Sequence, residues 1–524
     1  MHTTALVHPP TSFMSTESTS HVNEGVGEDQ VNLKNADNDL RLERLNTYNG
    51  LWRVMMPRRS LDGSLPHNLS DRIPLEIIES IIDCMVQTTL VPTAQVCRAW
   101  YPRAMYNLYS AIRLQSRRCY NLLVQQVRTS PRVKQRLATT DGLIVRHFMK
   151  RKGDTIPFLD ALPLVLADAL SSLRVLSIEG GLRAAMHPTF YLGLLQFKHI
   201  VSLRLCSIRL SNIKQLQQIV YACPHVAELG LHHVTLMKTG PVGRGSSRPA
   251  HIRSRTESTT SLRRLDIKAM DGFQHETESL MTSVSIIDWL VASTICTSLR
   301  DLEWDVGNLA GMARAGIIFK QLDRLLEATG TSLSSFNDKT KWDMAFVGYE
   351  SYISVLNLVH STALRDLACT ANIDTVACKR KYGWSVVASY LCRILSTVRS
   401  YQLQRIMIDI YFGPELATTE PMPFRAHWEE EEEEEKEEVW GRRLLKLMRD
   451  LHSVMVQPYF GALTAVHVAI EYALSLGTRK RSKGDAHDAA EAIEVIQQLL
   501  GPWHERGLVK VSHTTKIYYP PHLL

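Results

Sequence analysis

The chain has 524 residues, and its 45% hydrophobic and 22% charged content is that of an ordinary folded protein long enough for more than one domain. The net charge of +7 is spread unevenly along it. Residues 1–25 lack the apolar stretch of a signal peptide, and no run of 18 uncharged apolar residues occurs, so we expect no membrane span and a location in the cytoplasm, the nucleus or both.

Residues 1–64 form the first segment and are predicted to be disordered. Ser, Thr, Asn and Pro are frequent there and hydrophobic periodicity is weak, so the segment cannot bury enough apolar surface to fold alone. An apolar island around Trp52 stands inside it. The sequence leaves open whether that island packs on the next domain, binds another molecule or does neither.

The sequence pattern of residues 65–115 predicts a small helical domain. Pro74 fits the first turn of a helix, where its missing N–H has no cost, and Glu76 lies near the positive end of the same helix dipole. The apolar residues that follow recur at helical spacing and form one stripe, made of Ile77, Ile78, Ile81, Ile82 and Met85. Pro92 fits the first turn of a second helix. That helix has an apolar face made of Val96, Cys97 and Trp100.

These residues resemble an F-box, the helical motif that ties a substrate receptor to the Skp-type adaptor of a cullin–RING ubiquitin ligase. The family pattern is Leu-Pro-x-Glu-Ile, then Ile/Leu pairs, then Val-Cys-x-x-Trp, and Ile73 takes the place of its first Leu. Pro92 inside the second helix is a further departure. The stretch from Cys97 to Ile112 is most similar to fungal F-box proteins. Three ordinary helices of a larger core are the alternative.

The resemblance implies partners and a binding surface for this domain. A Skp-type adaptor would bind it, and a cullin scaffold would be reached through the adaptor. The implied adaptor-binding residues are those at positions matching the family pattern, namely Ile73, Pro74, Ile77, Ile78, Ile81, Ile82, Val96 and Trp100.

The segment from Arg98 to Lys152 is strongly basic. It contains 13 Lys and Arg residues and one acidic residue, Asp141, which gives it a charge of +12. This charge is either a solvated surface beside the helical domain or a docking surface for an acidic partner. Nucleic acid is a third alternative, but no nucleic-acid-binding motif accompanies the charge, so we do not expect it as a partner.

A short sequence motif of the form L-x-x-L-x-φ, in which φ is apolar, recurs in the rest of the chain. We call this motif the repeated phrase. Its clearest copies begin at Leu173, Ile200, Val226, Leu262 and Leu299, and weaker ones begin at Leu333, Leu364, Leu403 and Leu463. Helical patterns lie between the phrases, so each unit is predicted to be a strand followed by a helix, as in leucine-rich-repeat solenoids. The units resemble the irregular repeats of fungal F-box proteins. Chance phrases in a non-repetitive α/β fold are the alternative.

The sequence therefore predicts an α/β fold in which a short N-terminal helical F-box is followed by an irregular leucine-rich-repeat-like strand–helix solenoid. The solenoid covers residues 116–412 and contains a flexible loop at 237–260. An acidic linker rich in Glu covers 413–438, and C-terminal repeats and a cap fill 439–524. The basic cluster at 479–483 has the composition of a nuclear localisation signal.

The repeated phrase also predicts which side chains are buried. The second Leu of each phrase is predicted to point into one continuous core, which would contain Leu176, Leu203, Leu229, Leu265 and Leu302. The polar residues nearby are predicted to lie off that core, and those on one face of the sheet are candidate target contacts: Arg174, Arg204, Glu228, Arg263 and Arg300.

Catalytic motifs are absent from the sequence. No phosphate-binding glycine loop, H-E-x-x-H or G-x-S-x-G motif occurs. His232 and His233 are adjacent, so on a strand they face opposite sides and are poor co-ligands, and Asp301 and Glu303 are predicted to be solvated. The nine scattered cysteines are predicted to be small apolar side chains in a reducing compartment, as at Cys97, Cys206 and Cys392. We expect no cofactor, no metal ion and no catalytic residue.

The F-box resemblance implies a non-catalytic substrate-recognition subunit of an SCF-type ubiquitin ligase. The helical domain would bind the adaptor, and the solenoid would bind a protein target that the sequence does not identify. Such a subunit acts by holding the target near the ubiquitin-charged enzyme, which raises the effective concentration of the target. A leucine-rich-repeat interaction scaffold without a ligase role and a basic nucleic-acid-associated factor are the alternatives.

Overall fold

The computed structural model describes residues 72–147, 158–182, 186–237, 261–269, 276–306, 312–340, 356–374, 381–413, 430–475 and 484–518. The described helices and strands belong to one compact unit, residues 75–524. Several predictions fall outside the described residues: the disordered region 1–64 with its island at Trp52, the loop from 238 to 260, residues 414–429 of the acidic linker, and the basic cluster 479–483.

Twelve parallel strands form one large sheet, and its neighbours follow the order of the chain. The strands are β1 (Ala111–Leu114), β2 (Gly142–His147), β3 (Val175–Gly180), β4 (Ser202–Cys206), β6 (Glu228–His232), β8 (Arg264–Lys268), β9 (Asp301–Asp305), β10 (Ser335–Asp338), β11 (Asp366–Asp374), β12 (Arg405–Gly413), β13 (Ala465–Ser475) and β14 (Val509–Tyr518). Two short strands, β5 (Arg209–Leu210) and β7 (Thr235–Leu236), pair separately. The predicted α/β class is therefore confirmed.

Fourteen α-helices occur in the described part of the chain. They are α1 (Leu75–Asp83), α2 (Gln87–Val96), α3 (Tyr101–Ser110), α4 (Arg117–Thr129), α5 (Pro131–Leu137), α6 (Leu162–Leu166), α7 (Pro188–Leu194), α8 (Ile213–Tyr221), α9 (Glu276–Ser293), α10 (Met312–Thr329), α11 (Lys381–Thr397), α12 (Glu430–Met455), α13 (Gly484–Leu499) and α14 (Gly501–Glu505). Helix α12 begins inside the segment that the sequence assigned to an acidic linker. None of these helices has both the length and the apolar content needed to cross a membrane.

Local sequence signals fix where several helices begin. At α8, the Asn212 side chain accepts a 3.2 Å hydrogen bond from the Gln215 N–H, and Gln215 reaches back to accept from the Ser211 N–H at 2.8 Å. At α4, the Ser116 hydroxyl accepts from the Cys119 N–H at 3.2 Å. Both caps satisfy N–H groups that the first turn of a helix leaves without partners.

The apolar residues of the repeated phrase line one side of the large sheet. Each phrase forms a strand, and the second Leu of one phrase stands opposite that of the next in the register. The five leucines predicted to be inside are all buried in one continuous core: Leu176, Leu203, Leu229, Leu265 and Leu302. The helices contribute their own apolar residues to this core, so they cover that side of the sheet.

The same backbone arrangement recurs where the strands begin. The carbonyl of Asp141 accepts hydrogen bonds of 2.9 Å from the N–H groups of both Arg174 and Val175. The carbonyl of Arg174 accepts in the same way from Val201 and Ser202, and the arrangement continues at each later strand of the large sheet as far as β13. This repeated bond aligns each strand with the one before it, which explains the regular register.

Candidate protein-interaction surfaces

Helices α1, α2 and α3 form a unit with a small core of its own. Ile82, Leu90, Ala94 and Ala104 are buried together and are separate from the core under the large sheet. Helix α2 begins at Gln87, so Pro92 lies inside it. The prediction that Pro92 belongs to the first turn was wrong, because the helix starts earlier without a side-chain cap.

The structure divides the predicted adaptor-binding residues into two groups. Ile82 is only 1% exposed, and Ile78 and Trp100 pack against it as partly buried residues of the same core. Ile77 and Ile81 are 52% and 51% exposed. The remaining members are a half-buried Ile73, an exposed Pro74 and Val96, which is 61% exposed. Helix α1 is thus apolar on both sides, with one side building the core and the other facing solvent.

Further exposed apolar side chains lie on the same three helices or, in the case of Val86, directly before α2. Sequence reasoning missed them because they stand off the helical stripe; they are Leu75, Val86, Val91, Tyr101 and Tyr106. Apolar exposure is normal for single residues, whereas contiguous apolar patches are typical of interaction surfaces. We call the exposed side chains of Ile77 and Ile81 on α1 and of Val96 at the end of α2 the apolar surface of the three-helix unit.

Polar contacts fix the three-helix unit internally and to the sheet. Within it, Asp83 accepts hydrogen bonds from Arg103 at 2.6 Å and from Asn107 at 2.8 Å, and the bond to Asp83 raises the pKa of Arg103. Toward the sheet, the Gln87 amide donates to the carbonyls of Leu108 at 3.2 Å and Ala111 at 2.9 Å. These bonds join α1 to α3 and α2 to the start of β1.

Arg136 makes a second connection, between α5 and α3. Its guanidinium lies 5.4 Å from the ring centre of Tyr101 and 5.5 Å from that of Tyr109, and it donates a 2.7 Å hydrogen bond to the Tyr101 hydroxyl. Cation–π contacts of this geometry are attractive. The apolar surface is therefore held in a fixed position relative to the sheet.

The basic segment 98–152 does not form one uniform patch. Arg103 and Arg136 are occupied by the contacts just described. Other members project into solvent, namely Arg98, Arg117, Arg118, Arg128, Arg132 and Lys134. Residues 150–152 lie outside the described part. Part of this charge is therefore engaged in contacts within the protein, and another part lies on exposed side chains.

On the sheet face opposite the helices, side chains of opposite charge contact one another across neighbouring strands. We call this set of residues, His232, Asp266, Lys268, Glu303 and Lys339, the charge chain. Lys268 Nζ lies 3.4 Å from Asp266 and 3.2 Å from Glu303, and Lys339 lies 2.7 Å from Glu303. His232 Nε2 is 2.6 Å from Asp266 Oδ2. The prediction that Glu303 is solvated was wrong, because this side chain is only 15% exposed and both lysines reach it.

The charge chain shifts the proton affinities of its members. Burial on its own would raise the pKa of Asp266, but the hydrogen bond and charge of His232, together with Lys268 and Arg204, hold that pKa below its usual value. Burial and the charge of Asp266 likewise oppose the ionisation of Glu303, yet the lysines keep its pKa low. The carboxylates therefore remain ionised and paired at neutral pH.

Cys206 on β4 stands opposite His232 on β6 in the register, and the His232 ring contacts Asp266 on β8, an order of residue types that resembles a nucleophile with its base. Burial, followed by the charge of Glu179, raises the pKa of Cys206 to about 11, so the group is a thiol at neutral pH. A nucleophilic cysteine needs the opposite shift. His233 leaves the strand with a left-handed φ of 53°. In the described residues no group of three potential metal ligands comes together.

The expected burial of the cysteines is only partly met. Cys97 is exposed, contrary to prediction, because α2 ends at Val96 and Cys97 follows in extended conformation. Cys206 and Cys392 are half-buried, and Cys223, Cys296 and Cys369 are fully buried.

The sequence matches no known family profile and no curated protein. Two surfaces of the chain are candidate interaction sites, the apolar one on the three-helix unit and the charged one on the sheet.

Proposed function

We propose that this chain is the substrate-recognition subunit of an SCF-type ubiquitin ligase. In this proposal, residues 65–115 are an F-box that binds a Skp-type adaptor and, through it, a cullin scaffold. The strand–helix array is an irregular leucine-rich-repeat-like solenoid that holds a protein target. The chain catalyses nothing itself, since its contribution is to raise the effective concentration of the target near the ubiquitin-charged enzyme.

The observation that carries the proposal is an apolar surface on a helical unit that already has its own core. Ile77 and Ile81 are half exposed on the helix that buries Ile82. Fully burying an exposed isoleucine contributes about 1.5–3 kcal/mol, so burying the exposed half of one such side chain against a partner contributes about 1 kcal/mol. Because a few apolar anchors usually provide most of the binding energy of an interface, we expect these two residues and Val96 to be the anchors of the adaptor contact.

The attachment of this unit to the sheet supports a bridging role. Gln87 and Arg136 hold α2 and α3 against β1 and α5. A subunit that presents a target to an enzyme benefits from such a fixed connection, because a defined geometry keeps the effective concentration high.

The order of the strands supports the solenoid part of the proposal. Each unit adds its strand beside the previous one and repeats the same bifurcated backbone hydrogen bond. Stacking of this kind is how strand–helix repeats build one continuous core. The exposed side chains on the opposite face, such as Met407 and His467, are then free to contact a target.

The proposal is tested by co-purification of the full chain with a Skp-type adaptor. The double variant Ile77→Asp/Ile81→Asp places two charges in the apolar surface and should abolish co-purification. The matched control is Leu192→Asp/Leu195→Asp, which makes the same change at two exposed leucines at the end of α7. The control should bind as well as the unchanged chain.

Two outcomes would reject the ligase role. Equal adaptor binding by the Ile77/Ile81 variant, with an unchanged unfolding midpoint, would show that the apolar surface is not the contact. Absence of adaptor binding by the unchanged chain would leave the scaffold alternative. The nucleic-acid alternative predicts instead a steep salt dependence of binding to DNA or RNA.

A further inference from the structure

Three arginines form one row along the end of the sheet at which the strands begin, that is, at the N-terminal ends of the strands. Arg263, Arg300 and Arg365 are the residues just before β8, β9 and β11, and Ser334 has the same place before β10. The Arg300 N–H donates to the Arg263 carbonyl at 2.8 Å, Ser334 N–H to Arg300 at 2.8 Å, and Arg365 N–H to Ser334 at 2.7 Å. The backbone thus places these four residues on consecutive units, and we call the three arginines the arginine row.

The charges of the arginine row are not neutralised within the described chain. All three side chains are exposed, and among the described residues none of their guanidinium groups has an ion-pair or hydrogen-bond partner. The nearest acidic residues along the chain have other neighbours. Asp301 stands opposite Arg264 in the register, and Asp366 accepts two hydrogen bonds from Arg405 at 2.5 and 2.8 Å.

The row differs from the charged side chains on the strands themselves. There, Arg146 pairs with Glu179, and the like charges of Asp266 and Glu303, which stand opposite each other in the register, are both contacted by Lys268. Arg263 and Arg300, just before β8 and β9, instead place like charges on neighbouring units without such a partner. Like charges in directly neighbouring positions are destabilising, so the row has an unfavourable energy that an anionic ligand would relieve.

We propose that the arginine row binds an acidic segment of a protein partner. The inference rests on the proposed function in that the partner is the target of the ligase, and it adds the chemistry by which the target is recognised. Guanidinium groups bind carboxylates through paired N–H bonds, which makes Arg well suited to this role.

The dimensions of the row fit a short extended peptide. Adjacent strands lie about 4.8 Å apart, so the three intervals between Arg263 and Arg365 cover about 14 Å. An extended chain rises about 3.3 Å per residue, so a segment of about five residues covers the row. The position between Arg300 and Arg365 is taken by Ser334, so no aromatic ring is available within the row for stacking on a nucleic-acid base, which favours a protein partner.

The test measures binding of a fluorescein-labelled hexaglutamate peptide to the full chain by fluorescence anisotropy. The variant Arg263→Glu/Arg300→Glu/Arg365→Glu should weaken binding at least tenfold. The control Arg118→Glu/Arg128→Glu/Arg132→Glu makes the same change in net charge at exposed arginines of α4 and α5, and its binding should stay within twofold of the unchanged chain. A labelled hexaglutamine peptide should not bind.

The result does not depend on the adaptor. The arginine-row variant should still bind the adaptor, and the Ile77→Asp/Ile81→Asp variant should still bind hexaglutamate. The two binding measurements therefore test the adaptor proposal and the arginine-row proposal separately. If the Glu variant does not fold, Arg263→Gln/Arg300→Gln/Arg365→Gln replaces it. Hexaglutamate should then raise the Tm of the unchanged chain and leave that of the Gln variant unchanged.

Four results would overturn the inference. The first is absence of hexaglutamate binding, and the second is an equal loss in the two triple variants, which would reduce the effect to net charge. The third is tighter binding of a labelled single-stranded oligonucleotide that is lost in the arginine-row variant. The fourth is self-association of the chain that hexaglutamate reverses, since the run of Glu from 429 to 435 would then be the occupant, supplied by a second copy.

Discussion

His232 on β6 approaches Asp266 on β8 with 2.6 Å between Nε2 and Oδ2, and Lys268 contacts the same carboxylate oxygen at 3.4 Å. The pKa of Asp266 is held below its usual value of about 3.9. A carboxylate whose pKa is lower in the folded state stabilises that state above about pH 4, and this contribution disappears as the pH falls through the lowered pKa.

Asp266→Asn should therefore lower the free energy of unfolding at pH 7 by about 1–3 kcal/mol, because His232 loses its carboxylate partner and Lys268 keeps only Glu303. The variant should also show a smaller loss of stability than the unchanged chain between pH 5 and 3. Urea unfolding at several pH values measures both effects. Asp288→Asn is the control, since Asp288 pairs with Arg324 at a solvated site and should change stability by less than about 1 kcal/mol. Parallel pH curves for Asp266→Asn and the unchanged chain would contradict this account.

Leu265→Ala should destabilise the sheet by about 2–5 kcal/mol, because Leu265 is fully buried between the strands and the helices. Leu192→Ala, at a site that is 61% exposed, should cost within about 0.5 kcal/mol. Chemical unfolding gives both values. Similar costs at the two positions would mean that the leucines of the phrase do not share one packed core.

Ile82→Ala and Ile77→Ala should separate the two sides of α1. Ile82 belongs to the small core, so its truncation should speed amide hydrogen exchange throughout α1, α2 and α3. Ile77 faces solvent, so its truncation should leave exchange unchanged while weakening adaptor binding. If both variants accelerate exchange equally, Ile77 is part of the core and not of the apolar surface.

The cysteines should differ widely in their rate of alkylation. Burial raises the pKa of Cys223 to about 12, and burial followed by the charges of Asp338 and Asp409 raises that of Cys369. Since the thiolate is the reactive form, iodoacetamide at pH 8 should modify the exposed Cys84, Cys97 and Cys119 first. Mass spectrometry of the digested protein gives the order. Early labelling of Cys223 without denaturant would contradict the described packing.

Sequence periodicity was enough to locate most strands of the sheet, because each L-x-x-L-x-φ phrase places its apolar residues on one side. It missed the repeat character of β2 and did not locate β14. Thr140 stands where other units have the first Leu and is buried while donating to the Tyr109 carbonyl at 2.8 Å. Arg506 has that place before β14 and donates to the Phe460 carbonyl at 3.3 Å. A hydrogen-bonding residue that replaces an apolar one cannot be recognised from hydrophobicity alone.

The candidate sites were less accessible to sequence reasoning. The stripe on α1 was correct as a set of apolar residues, but whether Ile78 or Ile77 faces the core depends on how α3 packs against α1. The burial of Glu303 and the isolation of the arginine row depend on register, which brings Lys339 beside Glu303 and Arg300 beside Arg263. Register across units separated by more than thirty residues is a tertiary property.

The central claim is that the three-helix unit binds a Skp-type adaptor through its apolar surface. Isothermal titration calorimetry of the purified full chain with purified adaptor tests it most directly. We predict one adaptor per chain and a negative heat-capacity change, the signature of apolar burial. Both should be lost in Ile77→Asp/Ile81→Asp and kept in Leu192→Asp/Leu195→Asp. Binding of the same affinity by the folded Ile77/Ile81 variant, or no heat of binding with the unchanged chain across several temperatures, would contradict the claim.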